Sequence, residues 1–113
     1  MNFDLIVVGG GLAGAALAVA LRRTPLKVAL IETAAPVMPL ELDQRVYAYS
    51  PASIRFLEEL GVWQHLQRER LQAVSEMRIC GDAGGALRFS AYDSGLPELA
   101  WSGESSRIHG ELW

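Results

Sequence analysis

The 113-residue sequence predicts an α/β fold that opens on a strand–helix–strand unit, and three observations predict it. Phe3 to Val8 (F-D-L-I-V-V) is a short run rich in β-branched residues that stops at glycine, as a strand buried on both faces of a parallel sheet does. Leu12 to Arg23 is dense in Ala and Leu, both good helix formers, and Thr24-Pro25 closes it because proline disfavours helical geometry in the residue before it. Lys27 to Ile31 (K-V-A-L-I) is a second buried strand that ends on Glu32. Strand, glycine turn, helix and strand within about thirty residues make a βαβ unit.

The later elements follow in chain order. Residues 33 to 49 contain Pro36 and Pro39 and no sustained period, which predicts a surface loop. Ser50-Pro51 reads as an N-cap with proline at the first helical position, and Ile54, Leu57 and Leu60 recur at helical spacing until Gly61 stops the helix. Val62 to Arg70 predicts a further helical turn or two with Trp63 and Leu66 inward. Met77–Cys80 and Leu87–Ala91 flank Gly81-Asp82-Ala83-Gly84-Gly85, an antiparallel hairpin with a glycine-rich turn. Residues 93 to 103 read as loop, and Ser105 to Trp113 as the first turns of a helix.

Composition narrows the function classes. Half of the residues are apolar and 20% are charged, as in an ordinary globular chain. The net charge is −3 and no basic run occurs, so no nucleic-acid partner is expected. Cys80 is the single cysteine, which rules out an internal disulfide and predicts a small buried apolar residue in a strand. The uncharged stretch Leu5 to Leu21 is not a signal peptide or a transmembrane segment, because Asp4 precedes it, glycines interrupt it and Arg22-Arg23 follow. A cytoplasmic location fits. His65 and His109 lack cysteines or carboxylates at ligand spacing, so both are expected to be structural and no metal is expected. Trp63, Trp101 and Trp113 are expected to be packing residues.

Gly9-Gly10-Gly11-Leu12-Ala13-Gly14 carries the chemistry. Gly9, Gly11 and Gly14 fit G-x-G-x-x-G, and the pattern sits between a predicted strand and a predicted helix, the context that gives it a mechanism. Gly9 permits the tight turn, Gly11 lets the backbone approach a pyrophosphate, and Gly14 lets the helix pack close to the sheet. The anion then lies at the helix N-terminus, against the free amides that begin at Leu12 and Ala13. Glu32, at the end of the second strand, is placed to accept hydrogen bonds from ribose hydroxyls and disfavours a 2′-phosphate. The unit is therefore Rossmann-like, and its ligand is FAD or NAD. A simple NAD domain continues with alternating helices and parallel strands, and this chain does not, which favours FAD.

Two runs resemble a known family. Gly14, Ala18 and Leu21, then Val28, Leu30 and Glu32, look like the fingerprint of the glutathione-reductase-like FAD/NAD(P)-binding fold. Asp43-Gln44-Arg45-Val46-Tyr47-Ala48-Tyr49-Ser50-Pro51-Ala52-Ser53, followed by Leu57, Leu60, Gly61, Val62 and Trp63, resembles the second signature of the ubiquinone-biosynthesis hydroxylases, D-x-R-x-x-A-x-S-x-x-S and then L-x-x-L-G-x-W. Glu104, Ile108, His109, Leu112 and Trp113 resemble that family's following segment, so the likeness runs end to end.

By that resemblance Arg45 contacts the ribityl or pyrophosphate region of FAD, a role suited to a guanidinium. The alternative for Arg45 is a surface salt bridge with Glu41 or Asp43. Glu104 and Arg107 sit near a position where the wider class places a flavin-contacting side chain. The family reduces FAD with NAD(P)H as electron donor, and reacts the reduced flavin with O2 to place one oxygen on a phenolic ring that bears a polyprenyl tail. The resemblance also implies that residues 1–113 are the N-terminal part of a longer monooxygenase domain. In it, residues 1–75 are the FAD-binding βαβ plus the following helices, and residues 76–113 begin an antiparallel substrate-layer sheet. The catalytic residues stay unassigned, substrate-contacting residues are expected mostly downstream, and the piece is expected to be inactive alone and prone to self-association through open strand edges. A polyprenyl substrate implies peripheral membrane contact of the whole protein. A stand-alone dinucleotide module and a hydroxylase of a small soluble phenol are the competing readings.

Overall fold

The computed structural model describes all residues from Met1 to Trp113. The order is β1 (Leu5–Val8), α1 (Leu12–Leu21), β2 (Val28–Ile31), β3 (Val46–Tyr49), α2 (Pro51–Glu59), two 3₁₀ turns (Trp63–His65 and Arg68–Arg70), β4 (Leu71–Val74), β5 (Glu76–Cys80), β6 (Ala86–Ser90), β7 (Ala100–Glu104) and α3 (Ser105–Leu112). The mixed α/β class and the opening βαβ unit agree with the sequence expectation.

β1 and β2 pair in parallel, Leu5 opposite Val28 through Val8 opposite Ile31. Only one face of this pair is covered. Val7 is buried, whereas its neighbours Ile6 and Val8 are 56% and 80% exposed. Side chains alternate across a strand, so one face meets α1 and the other stays open. The expectation of a strand buried on both faces is thereby corrected.

The predicted loop at 33–49 contains β3, and the predicted loop at 93–103 contains most of β7. β7 is the centre of a three-stranded antiparallel sheet in the order β3-β7-β4. Val46 faces Glu104, and Leu71 faces Gly103. These strands are short, and their ladder partners lie far away in sequence, so tertiary pairing overrides weak local signals. β4 follows the same rule: the four residues Leu71–Val74 carry no strand pattern of their own. This sheet draws β3 and β4 from before residue 75 and β7 from after it.

α2 forms where its signals stand. Ser50 Oγ accepts the Ser53 amide at 3.2 Å, Pro51 occupies the first turn, and Gly61 closes the helix with φ +77° while Val62 N–H reaches back to the Leu57 carbonyl at 2.9 Å. The core lies between α1, α2, the turn at Trp63 and α3, with Ala15, Ala16, Leu57, Leu60, Val62, Trp63, Leu66, Ile108 and Leu112 buried together. Trp63 is thus a packing residue, as expected.

The β5–β6 hairpin stands apart from that core. The radius of gyration is 17.2 Å, against about 13 Å for a compact chain of this length. Met77 faces Phe89 and Ile79 faces Leu87, and Ile79, Leu87 and Phe89 are each more than half exposed. Cys80 is exposed at the tip of β5, which corrects the expected burial: a hairpin with no layer against it covers neither face. No helix is long and apolar enough to cross a membrane.

Candidate dinucleotide site

The glycine turn is built as the pattern requires. Gly9 has φ +100°, a left-handed conformation that side chains disfavour, and its amide donates to the Ile31 carbonyl at 2.8 Å. A Cβ on Gly14 would lie 1.8 Å from the Gly9 carbonyl oxygen, so close helix–turn packing excludes any side chain there. A Cβ on Gly11 would meet nothing within 4 Å. The protein's own packing therefore does not require a glycine at position 11. Gly11 is also the N-cap of α1, and no side chain caps that end. The first-turn amides, including those of Leu12 and Ala13, remain available to an anion.

Glu32 is tied directly to the turn. Its Oε2 accepts the Gly10 amide at 2.7 Å, and its Oε1 accepts the Thr33 amide at 2.6 Å and the Thr33 hydroxyl at 2.9 Å. The Gly10 amide above all, then Thr33, hold the carboxyl far below its ordinary value, at about 2. The side chain is consequently an anion over the whole neutral range, with lone pairs left on Oε2 for a hydroxyl donor.

A cleft of about 630 Å³ opens beside the turn, lined by Gly11, Leu12, Val37, Pro39, Asp43, Arg45, Tyr47, Ser105, Ser106 and His109. Of the residues predicted from sequence, Gly11, Leu12 and Arg45 share this cleft. Gly9 and Gly14 shape the turn, Ala13 lies one residue inside α1, and Glu32 stands at the end of β2 outside the lining. Arg45 forms neither of the alternative salt bridges; its amide donates to Asp43 Oδ1 at 3.0 Å while its guanidinium takes no ion pair. The Arg45 amide, then groups of Ser106, hold the Asp43 carboxyl below its usual range.

His109 and Trp113 take the structural and packing roles expected of them, at contacts that the sequence does not reveal. His109 places Nε2 2.5 Å from the Gly10 carbonyl oxygen, a structural bond in which Nε2 carries the proton because a carbonyl only accepts. The same ring forms part of the cleft wall. Ser105 and Ser106, at the start of α3, reach the cleft, whereas Glu104 and Arg107 do not line it. Glu104 is buried against Arg70, and Arg107 Nη2 donates to the Pro39 carbonyl at 2.7 Å. Trp113 packs its ring against Gly10, where a Cβ would come within 2.7 Å of it.

These residues fit a dinucleotide. The uncapped α1 end faces open space at Gly11, an ionised Glu32 ends β2, and a guanidinium without an ion pair lines the cleft wall opposite.

Comparison with known proteins decides the family. Residues 2–101 match the family described as the FAD binding domain. The chain belongs to that family. Its similarity to the 3-demethoxyubiquinol 3-hydroxylase of Escherichia coli is 32% identity over 113 residues, covering 97% of this chain and 29% of that protein. The human mitochondrial ubiquinone biosynthesis monooxygenase COQ6 is 36% identical over 94 residues, covering 75% of this chain and 20% of that one. Among solved structures, a PqsL variant from Pseudomonas aeruginosa superposes with a TM-score of 0.70 at 22% identity, over 97% of this chain and 29% of its own. The chain thus spans under a third of the length of these relatives. The FAD-binding fold and the likeness to ubiquinone-biosynthesis hydroxylases agree with the sequence reading, and FAD is the cofactor for which the family is named.

Proposed function

We propose that this chain is the FAD-binding part of a monooxygenase that hydroxylates a phenolic ring, a polyprenylated ubiquinone precursor, with NAD(P)H as electron donor and O2 as oxidant. The observation that carries the reading is the joint placement of the open Gly11 backbone and the cleft wall that bears Arg45. Similarity to two ubiquinone-pathway hydroxylases supports the substrate class.

FAD supplies the redox chemistry when it is bound; the protein supplies position and charge. The backbone at Gly11 to Ala13 receives the pyrophosphate, Glu32 accepts from ribose hydroxyls, and Arg45 neutralises negative charge across the cleft. Gly9 and Gly14 keep the turn tight enough for those amides to converge. Hydroxylation belongs to the whole protein. Peripheral membrane contact follows for that protein from the polyprenyl substrate.

The test is an absorbance spectrum of the purified chain after incubation with FAD and desalting, beside Gly11→Trp and Glu32→Ala. Flavin retained by the native chain and lost from both variants is the expected result. A folded chain that retains no flavin would overturn the reading.

A further inference from the structure

Arg45 stands in the cleft wall, yet the groups that fix its backbone are anchored outside the cleft. Glu104, the last residue of β7, is 4% exposed and sits opposite Val46 in the ladder. Its carboxylate accepts three hydrogen bonds: from Arg70 Nε at 2.5 Å, from Arg70 Nη2 at 3.0 Å and from the Asp43 amide at 2.6 Å. Arg70 Nη2 also donates to the Glu41 carbonyl at 3.2 Å. One carboxylate and one guanidinium therefore hold the chain at 41 and 43.

Asp43 passes the constraint on. Its Oδ1 accepts the Arg45 amide at 3.0 Å and its Oδ2 accepts the Ser106 amide at 3.3 Å. The Ser105 amide donates to the Arg45 carbonyl at 2.9 Å, so Arg45 is gripped on both sides of its Cα. Asp43, Arg45, Ser105 and Ser106 line the cleft, while Glu104 and Arg70 do not. An ion pair of this kind is costly to desolvate and adds little stability over an apolar pair, and its best-attested use is to fix a geometry.

We infer that Glu104 and Arg70 are positioning residues for the nucleotide: through Asp43 they set where the Arg45 guanidinium meets the anionic part of FAD. The inference rests on the cleft being the FAD site. Neither residue touches the cofactor; both act through Arg45.

A double-mutant cycle separates this role from a merely structural one. FAD affinity is titrated by flavin fluorescence in the native chain, Glu104→Gln, Arg45→Met and the double variant, with thermal unfolding of each in the absence of FAD. Arg45→Met is expected to weaken FAD binding about tenfold, the loss of one charge-assisted contact. Glu104→Gln is expected to weaken it severalfold, and the double variant to bind no more weakly than Arg45→Met alone. Losses that multiply in the double variant would overturn the inference, as would unchanged affinity in Glu104→Gln. Unchanged affinity in Arg45→Met would also overturn it, because nothing would be left to position, while the FAD site itself would stand. Absence of FAD binding by the native chain would overturn the nucleotide reading and this inference with it. If Glu104→Gln does not fold, Arg70→Lys takes its place in the same cycle, keeping the cation but losing the planar fork that spans Glu104 and Glu41.

Discussion

The Gly10 amide and the Glu32 carboxylate meet at 2.7 Å, which joins the turn after β1 to the end of β2 across 22 residues. The bond makes Glu32 part of the turn's own structure as well as a candidate ribose acceptor.

The pH dependence follows from that bond. The folded carboxyl titrates at about 2 against an ordinary value of 4.5, so its contribution to stability is fully present above 4.5 and is lost as the pH falls toward about 2. Glu32→Gln is expected to flatten this part of the profile. Urea midpoints of both proteins measured across the acid range check it, and parallel profiles would sink the idea.

Gly11 and Gly14 separate binding from folding. Gly14→Ala puts a Cβ 1.8 Å from a backbone oxygen and is expected to cost about 3 kcal/mol or more of stability. Gly11→Ala meets no protein atom within 4 Å and is expected to cost under about 1 kcal/mol while weakening FAD binding about tenfold or more. Chemical unfolding and flavin titration of the same two variants read the contrast directly.

Ile108 anchors α3 to the core, 2% exposed among Leu57, Leu60 and Trp63. Ile108→Ala is expected to destabilise the chain by about 2–5 kcal/mol, the range for deleting a buried branched side chain. Since α3 also carries His109 onto Gly10, FAD retention should fall with it. A denaturant midpoint equal to the native one would refute this.

Ser50 caps α2 through the 3.2 Å bond from the Ser53 amide. Ser50→Ala is expected to cost about 1 kcal/mol, and Ser50→Asp to restore most of it, as seen in thermal midpoints.

How much of this was legible beforehand depended on the range of each signal. β1, α1, β2 and α2 announce themselves locally, through glycine turns, apolar runs and the Ser50-Pro51 cap, and the structure places them within a few residues of expectation. β3, β4 and β7 hold one another in place, and A-W-S-G-E carries no alternation that would mark Ala100–Glu104 as a central strand. The site divides the same way. Gly9, Gly11, Gly14 and Glu32 form a spacing pattern that a reader of sequence can see. His109 reaches Gly10 across 99 residues and left no such trace. Asp43 did leave one: an aspartate two residues before Arg45 is the spacing of a side chain that accepts a nearby amide.

The central place of β7 also dictates an order of assembly. The glycine turn and its acid have been synthesised once the chain has reached Glu32, whereas β3 has no ladder partner until residues 100–104 emerge and the Gly10 carbonyl has no His109 until later still. During synthesis a nascent polypeptide would thus carry the glycine turn for some seventy residues before its opposing wall closes, and bonds of such long sequence separation form slowly. A ligand arriving in that interval would find half a grip, and its tight retention would report that β7 has been threaded home.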